Sequence, residues 1–117
     1  MIKIRLTPKE FRVRIGMDEL DQLNCFGVSE ANFYLPDHSQ LRIVISVADC
    51  DSVSFNVIEK QYLIAIPSSS LEQLNAPQCS EIIMNHDVSE GLMRLILEMD
   101  FDQLKGRFND DKNQGII

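Results

Sequence analysis

The chain begins with two short stretches in which apolar and polar residues alternate, the pattern of strands with one buried face. Ile2 to Leu6 and Phe11 to Ile15 alternate strictly. Thr7-Pro8-Lys9-Glu10 between them predicts a turn, because proline favours the second position of a turn. Met17 to Asn24 has leucines at helical spacing, and Gly27 predicts where that helix ends. Two further strands, joined by a turn, follow in the same half of the chain.

The same order of elements returns 51 residues later. An offset of 51 gives 12 identities in 51 ungapped pairs, where average composition would give about three. The second half then reads as two strands (Val53 to Ile58 and Tyr62 to Ile66), a helix opened by a Ser69-x-x-Glu72 capping box, and two more strands. We therefore predict two ββαββ repeats, residues 1–51 and 52–104, followed by a loose polar tail over 105–117.

Eight short strands with hairpin-length connections predict an α+β fold whose sheets are mostly antiparallel. One repeat cannot cover its own apolar face, so we expect the two to pack about a pseudo-twofold axis as one domain, residues 1–104. The body is predicted to be barrel-like or two-sheeted, with the two helices capping it. An increase of the offset from 51 to 52 after the turn would align Arg42 with Arg94. We therefore predict that the hairpins after the helices differ in length by one residue.

Composition is that of a small globular domain: 117 residues, 44% hydrophobic and 25% charged. No apolar run approaches the ~20 residues of a membrane span, and the first residues alternate instead of forming a signal peptide, so we predict a cytoplasmic protein.

Its three cysteines are expected to be reduced and packed in the core. The net charge of −7 argues against general affinity for nucleic acid.

Charge is unevenly distributed, because residues 1–15 carry a balance of +4 and the remainder −11. Alternation predicts that Lys3, Arg5, Arg12 and Arg14 share the outward face of the first hairpin. Like charges on paired strands repel, so this cluster needs carboxylates of an adjoining strand, solvent, or a bound anion or acidic partner.

The equivalent outward positions of the second hairpin are neutral to apolar: Ser54, Asn56, Leu63 and Ala65. Such a face is either covered by other elements or serves as a contact surface. The contact would be made with a second copy, as a homodimer, or with an unknown partner protein.

Catalytic signatures are scarce in this sequence. It has no Gly-rich phosphate loop, no His-Glu-x-x-His, no Cys-x-x-Cys and no Gly-x-Ser-x-Gly, so we favour a domain that is not an enzyme and predict no cofactor. Four carboxylates that follow the last strands of the two repeats could hold calcium or magnesium, although aspartate also favours turns and strand ends for its backbone hydrogen bonds. These candidates are Asp49, Asp51, Asp100 and Asp102.

The first part of the chain contains Lys3-Ile4-Arg5, Arg12-Val13-Arg14 and a predicted helix at Glu19 to Leu23. Further on, Leu95 to Phe101 are followed by Leu104 and Arg107. Together these segments resemble a family of small bacterial proteins of unknown function. That family has a Lys where this chain has Met99 and a Cys where it has Gln103, so roles of those side chains do not transfer. The resemblance implies a bacterial source and a shared fold, and it implies no activity, substrate or cofactor.

Two hypotheses for function follow. The first is a non-enzymatic domain that binds a protein or associates with itself, one version being an acidic inhibitor that covers a basic partner. The alternative is a domain that binds a small anionic molecule, or acts on it, at the basic face of the N-terminal hairpin.

Overall fold

A computed structural model describes residues 1–76, 81–88 and 91–100, without the side chains of residues 86–88. These residues form the predicted elements in the predicted order. The first repeat contains β1 (Lys3–Leu6), β2 (Glu10–Ile15), α1 (Met17–Phe26), β3 (Val28–Tyr34) and β4 (Gln40–Val47). The second contains β5 (Ser54–Ile58), β6 (Gln61–Ile66), α2 (Ser68–Asn75), β7 (Glu81–Val88) and β8 (Gly91–Met99). The predicted tail, 105–117, lies outside the described residues.

The strands form two four-stranded sheets, and each sheet combines one hairpin from each repeat. Sheet 1 has the order β1-β2-β8-β7 and sheet 2 the order β3-β4-β6-β5. The hairpin pairings are antiparallel, as predicted, whereas β2 lies parallel to β8 and β4 parallel to β6 where the repeats meet. The α+β prediction with two ββαββ units is confirmed. Of the two predicted shapes, the two-sheet body is right, since neither sheet closes into a barrel.

The two repeats are related by a pseudo-twofold axis. Exchanging the repeats turns the strand order of sheet 1 into that of sheet 2. Asn24 and Asn75, 51 residues apart, exchange two side-chain hydrogen bonds of 3.0 and 2.9 Å between the helices. Phe11 and Tyr62, also 51 apart, stack with ring centroids 5.3 Å apart. Equivalent residues that touch each other must lie at the axis, so both pairs mark it.

The offset between the repeats changes after the helices. Arg42 lies opposite Gln61 on β6, and Arg94 lies opposite Glu10, which is 51 residues before Gln61. Strands β4 and β8 are therefore related by 52 residues, as the predicted alignment of Arg42 with Arg94 requires. The identities that an offset of 51 finds in these strands do not superpose.

The same shift removes an equivalence that the sequence suggests between two aspartates. The Asp100 N–H donates to the carbonyl of Ile15, and the matching bond in the other repeat runs from the Ala48 N–H to Ile66, both 2.9 Å long. Asp100 therefore corresponds to Ala48 and not to Asp49. Its carboxylate has no counterpart on the other side of the pseudo-twofold axis.

A single apolar core lies between the sheets and is closed at one end by the helices. Its most deeply buried members come from both repeats: Val13, Ile15, Leu23, Ile43, Ile45 and Ile66. Most are β-branched strand residues, which pack well on a pleated surface. The side chains that alternate with them point outward and form the two outer faces of the molecule.

The two helices begin differently. The N–H of Gly16, which precedes α1, donates to the Glu19 carboxylate at 3.0 Å, and Gly27 ends the helix with φ 73°. The capping box predicted from Ser69 is wrong, because the N-cap of α2 lies two residues earlier. Pro67 occupies its N-cap position without a side-chain hydrogen bond, as expected of a residue that has no polar side chain.

Candidate interaction surface

The outward face of sheet 1, here called the charged face, carries the basic cluster predicted from the sequence. Lys3 lies directly opposite Arg14, and Arg5 directly opposite Arg12. Eight of the twelve outward strand positions whose side chains the structure describes are charged: Lys3, Arg5, Glu10, Arg12, Arg14, Glu81, Arg94 and Glu98.

Carboxylates at the end of the neighbouring strand β8 neutralise most of this cluster. Glu98 accepts hydrogen bonds from Arg12 Nη1 at 2.8 Å and from Arg14 Nε at 2.5 Å. Asp100 accepts one from Lys3 Nζ at 3.0 Å. Both carboxylates are buried, with relative exposures of 8% and 3%. Because β8 belongs to the second repeat, these ion pairs join the two halves of the chain.

Little positive charge is left over on the charged face. Five basic side chains face four carboxylates when Asp100 is counted, which leaves a balance of +1. Arg5 is exposed and has no ion pair among the described residues. An anion bound at this face would have to compete with Glu98 and Asp100 for the cluster.

The outward face of sheet 2, here called the neutral face, has a different composition. Its fourteen outward strand positions include one acidic and one basic residue, Glu30 and Arg42, and these pair with each other at 2.5 Å. The other twelve are uncharged: Val28, Asn32, Tyr34, Gln40, Val44, Ser46, Ser54, Asn56, Ile58, Gln61, Leu63 and Ala65.

A comparison through the pseudo-twofold axis shows what the neutral face lacks. Leu63, Ala65 and Ser46 occupy the positions equivalent to Arg12, Arg14 and Glu98 in that order. The cluster of two arginines and a buried carboxylate is thus replaced by small or apolar side chains on the same scaffold. The difference between the faces therefore arises from side-chain identity and not from backbone geometry.

The neutral face extends over all four strands of sheet 2. Four strands spaced about 4.8 Å apart, each with about seven residues of about 3.3 Å, give roughly 19 by 23 Å. This area, on the order of 400 Å², is about half of the roughly 800 Å² that each partner buries in an interface of standard size. Tyr34 and Ile58 stand out from it, 78% and 58% exposed. An open polar depression of about 420 Å³ lies at one end, between Glu30 and Lys60.

The candidate metal ligands are not brought together in the part of the chain that the structure describes. Asp49 and Asp51 are exposed between β4 and β5, while Asp100 is buried and accepts a hydrogen bond from Lys3. Asp102 lies outside the described residues. Within those residues, no group of three histidine, cysteine or acidic side chains is arranged to hold a metal ion.

The interior and the cysteines add no site among the described residues. The cavity between the sheets has a volume of about 20 Å³ and apolar walls that include Phe11 and Phe55, so it has room for about one water molecule and no polar group to hold it. Cys25 is exposed and Cys50 is half-buried. The prediction that the cysteines pack in the core is therefore wrong for Cys25, which lies on the solvent side of α1.

Comparisons with known proteins return no family model, no curated protein and no solved structure that matches this chain. The resemblance to a family of small bacterial proteins therefore remains a prediction. Among the described residues, neither helix has the length and apolar character needed to cross a bilayer.

The sequence predicted about half of the outward residues of each face. The alternating pattern identified the outward residues of the first hairpin of each repeat. It did not identify their neighbours on the same face, which are Glu98 on β8 and Val44 and Ser46 on β4. Alternation shows that these residues point outward. It does not show which strand lies beside which, and the parallel contacts between repeats decide that.

Proposed function

We propose that this protein is a non-enzymatic cytoplasmic interaction domain that associates with itself through sheet 2. The observation that carries the proposal is the absence of charge from the neutral face at the positions where the charged face has two arginines paired with a buried carboxylate. Interface centres are depleted in lysine, glutamate and aspartate. The neutral face shares this depletion, since Glu30 is its single outward strand residue of these types, whereas the charged face does not.

The charge distribution also restricts where two copies could meet. Each copy carries a net charge of −7, so two copies repel through most of their surfaces. Contact through two neutral faces buries only one charged pair per copy, Glu30 with Arg42, and that pair is already formed. The cost of removing unpaired charges from water is thereby avoided.

The decisive experiment gives sheet 2 the charges of sheet 1. The variant combines Ser46→Glu, Ser54→Lys, Asn56→Arg, Leu63→Arg and Ala65→Arg, each of which installs the residue found at the equivalent position of the charged face. Because that arrangement already exists on the same backbone, the variant is expected to fold. Sedimentation equilibrium should show a concentration-dependent dimer for the wild type and at least tenfold weaker association for the variant.

A control separates the role of the surface from that of net charge. The variant changes the net charge by +3, and Asp21→Lys with Glu72→Gln does the same at two exposed, repeat-related positions on the helices. The control should associate as the wild type does or more strongly, because overall repulsion is lower. A wild type that stays monomeric up to about 500 μM would exclude any association of useful strength, and unchanged association of the quintuple variant would exclude sheet 2 as its site.

A further inference from the structure

The polar depression at one end of sheet 2 lies where the turn between β3 and β4 meets the turn between β5 and β6. Its volume of about 420 Å³ is within the range of small-molecule sites. Such sites are usually lined by apolar side chains, whereas four of the lining residues here are charged and three are amides. A ligand that fits this depression must therefore be polar itself.

The charges of the depression are balanced and mostly paired. Its lining holds two acidic and two basic residues. Arg42 pairs with Glu30 at 2.5 Å, and Lys60 Nζ donates to the Ser39 hydroxyl at 2.8 Å and lies 3.4 Å from the Asp37 carboxylate. An anion would have to displace these contacts to reach a basic group. The depression therefore favours a ligand without net charge.

Three amide side chains in the depression still have hydrogen-bonding groups to offer. Asn32, Gln40 and Gln61 line it, and none of them makes a side-chain hydrogen bond to another residue that the structure describes. Each amide has two N–H donors and a carbonyl acceptor. Hydroxyl groups both donate and accept, so a molecule with several hydroxyl groups can use all three amides at once.

An exposed aromatic ring stands beside these amides. Tyr34 lies directly opposite Gln40 in the pairing of β3 with β4, so the two side chains start about 5 Å apart on the same face. The Tyr34 side chain is 78% exposed. The face of an aromatic ring is apolar and carries partial negative charge, which suits the C–H groups on one face of a sugar ring.

The two turns that border the depression hold their shape against backbone strain. In the described part of the chain, His38 and Glu59 are the residues other than glycine with positive φ, at 67° and 54°. Strained residues persist where the surrounding structure fixes them, and they are frequent at ligand sites. Lys60 joins the turns through its bond to Ser39. A border that is already fixed lowers the cost of ordering on binding.

We propose that this depression binds a neutral sugar ring of the hexopyranose class. The ring lies with one face against Tyr34, and its hydroxyl groups bond to Asn32, Gln40 and Gln61. At the ligand efficiency usual for small ligands, one open monosaccharide site has a Kd on the order of 1 mM. This site goes beyond the proposed self-association and does not depend on it.

NMR titration of ¹⁵N-labelled protein tests the site directly. The probes are D-glucose, D-galactose and D-mannose, each up to 50 mM. At least one of them should shift the side-chain amide signals of Asn32, Gln40 and Gln61 in a saturable way. Inorganic phosphate and putrescine, at the same ionic strength, should leave these signals in place, because the first is an anion and the second a cation.

Two pairs of variants test the contacts. Tyr34→Ala should weaken sugar binding at least tenfold, whereas Phe26→Ala, which removes an equally exposed ring at the end of α1, should bind like the wild type. Gln40→Leu should weaken binding at least threefold, and Gln73→Leu, exposed on α2, should not. The same spectra show whether each variant is folded.

The quintuple variant of sheet 2 separates this site from self-association, because it leaves every residue that lines the depression unchanged. It should bind sugar at least as tightly as the wild type. Three results overturn the site: no sugar shifts the amide signals at 50 mM, phosphate or putrescine shifts them more than any sugar, or Tyr34→Ala binds like the wild type. A monomeric wild type that binds sugar overturns self-association alone.

Discussion

Removal of the buried carboxylate from the charged face tests whether burial sets the strength of its ion pairs. The change is Glu98→Gln, which keeps the shape of the side chain and removes its charge. Two arginines then lose the carboxylate that accepts a hydrogen bond from each of them, at 2.8 Å from Arg12 and 2.5 Å from Arg14.

The expected magnitude follows from the burial of the groups. A hydrogen bond to a charged group contributes about 1.5–3 kcal/mol net, and breaking a fully buried ion pair costs about 3–5 kcal/mol. The arginine side chains remain 24% and 37% exposed, so solvent screens part of the loss. We expect the free energy of unfolding to fall by about 2–3 kcal/mol. At about 4 °C per kcal/mol for a chain of this size, Tm should fall by about 8–12 °C.

The neutral face supplies a matched control. Glu30→Gln breaks the pair with Arg42, which has the same 2.5 Å contact but side chains 49% and 41% exposed. Exposed pairs contribute little, so this change should cost less than about 0.5 kcal/mol. Urea unfolding followed by circular dichroism measures both variants. In high salt the effect of Glu30→Gln should vanish, while that of Glu98→Gln should largely persist, because screening acts less on buried pairs.

Equal losses of stability in the two variants, or a cost of less than about 0.5 kcal/mol for Glu98→Gln, would contradict this prediction. In either case burial would not distinguish the two ion pairs. The stability of the charged sheet would then come from its apolar side alone.

Three further predictions concern particular contacts. Asn24→Ala and Asn75→Ala should each cost about 0.5–1 kcal/mol in urea unfolding, and the double variant should cost only a few tenths more, because either change removes both amide bonds. Glu59→Gly should raise the free energy of unfolding by about 0.5–1 kcal/mol, because Glu59 adopts φ 54°, a region that costs residues other than glycine about 1–2 kcal/mol. Hydrogen bonds from the Ser39 hydroxyl and N–H lower the pKa of Asp37 from 3.8 to about 2. Its stabilising effect should therefore be lost progressively as pH falls from 3.8 to about 2, and Ser39→Ala should raise that pKa in an NMR titration.

Local pattern determined the elements of this protein. The period of two in Phe11 to Ile15 and the leucine spacing in α1 depend only on which side chains must leave water, so strand and helix identity could be predicted without any knowledge of the partners. The duplication was visible for the same reason, since two copies of one scaffold need the same buried positions. The charge contrast between the two N-terminal hairpins also follows from alternation alone.

Tertiary structure decided how those elements combine. Each repeat contributes one hairpin to each sheet, and the parallel contacts of β2 with β8 and of β4 with β6 join residues far apart in the chain. Local pattern carries no information on such contacts, because a strand buried on one face reads the same beside either neighbour. For this reason the ion pairs of Glu98, the true equivalence of Asp100 with Ala48, and the full extent of the neutral face emerged only from the folded chain.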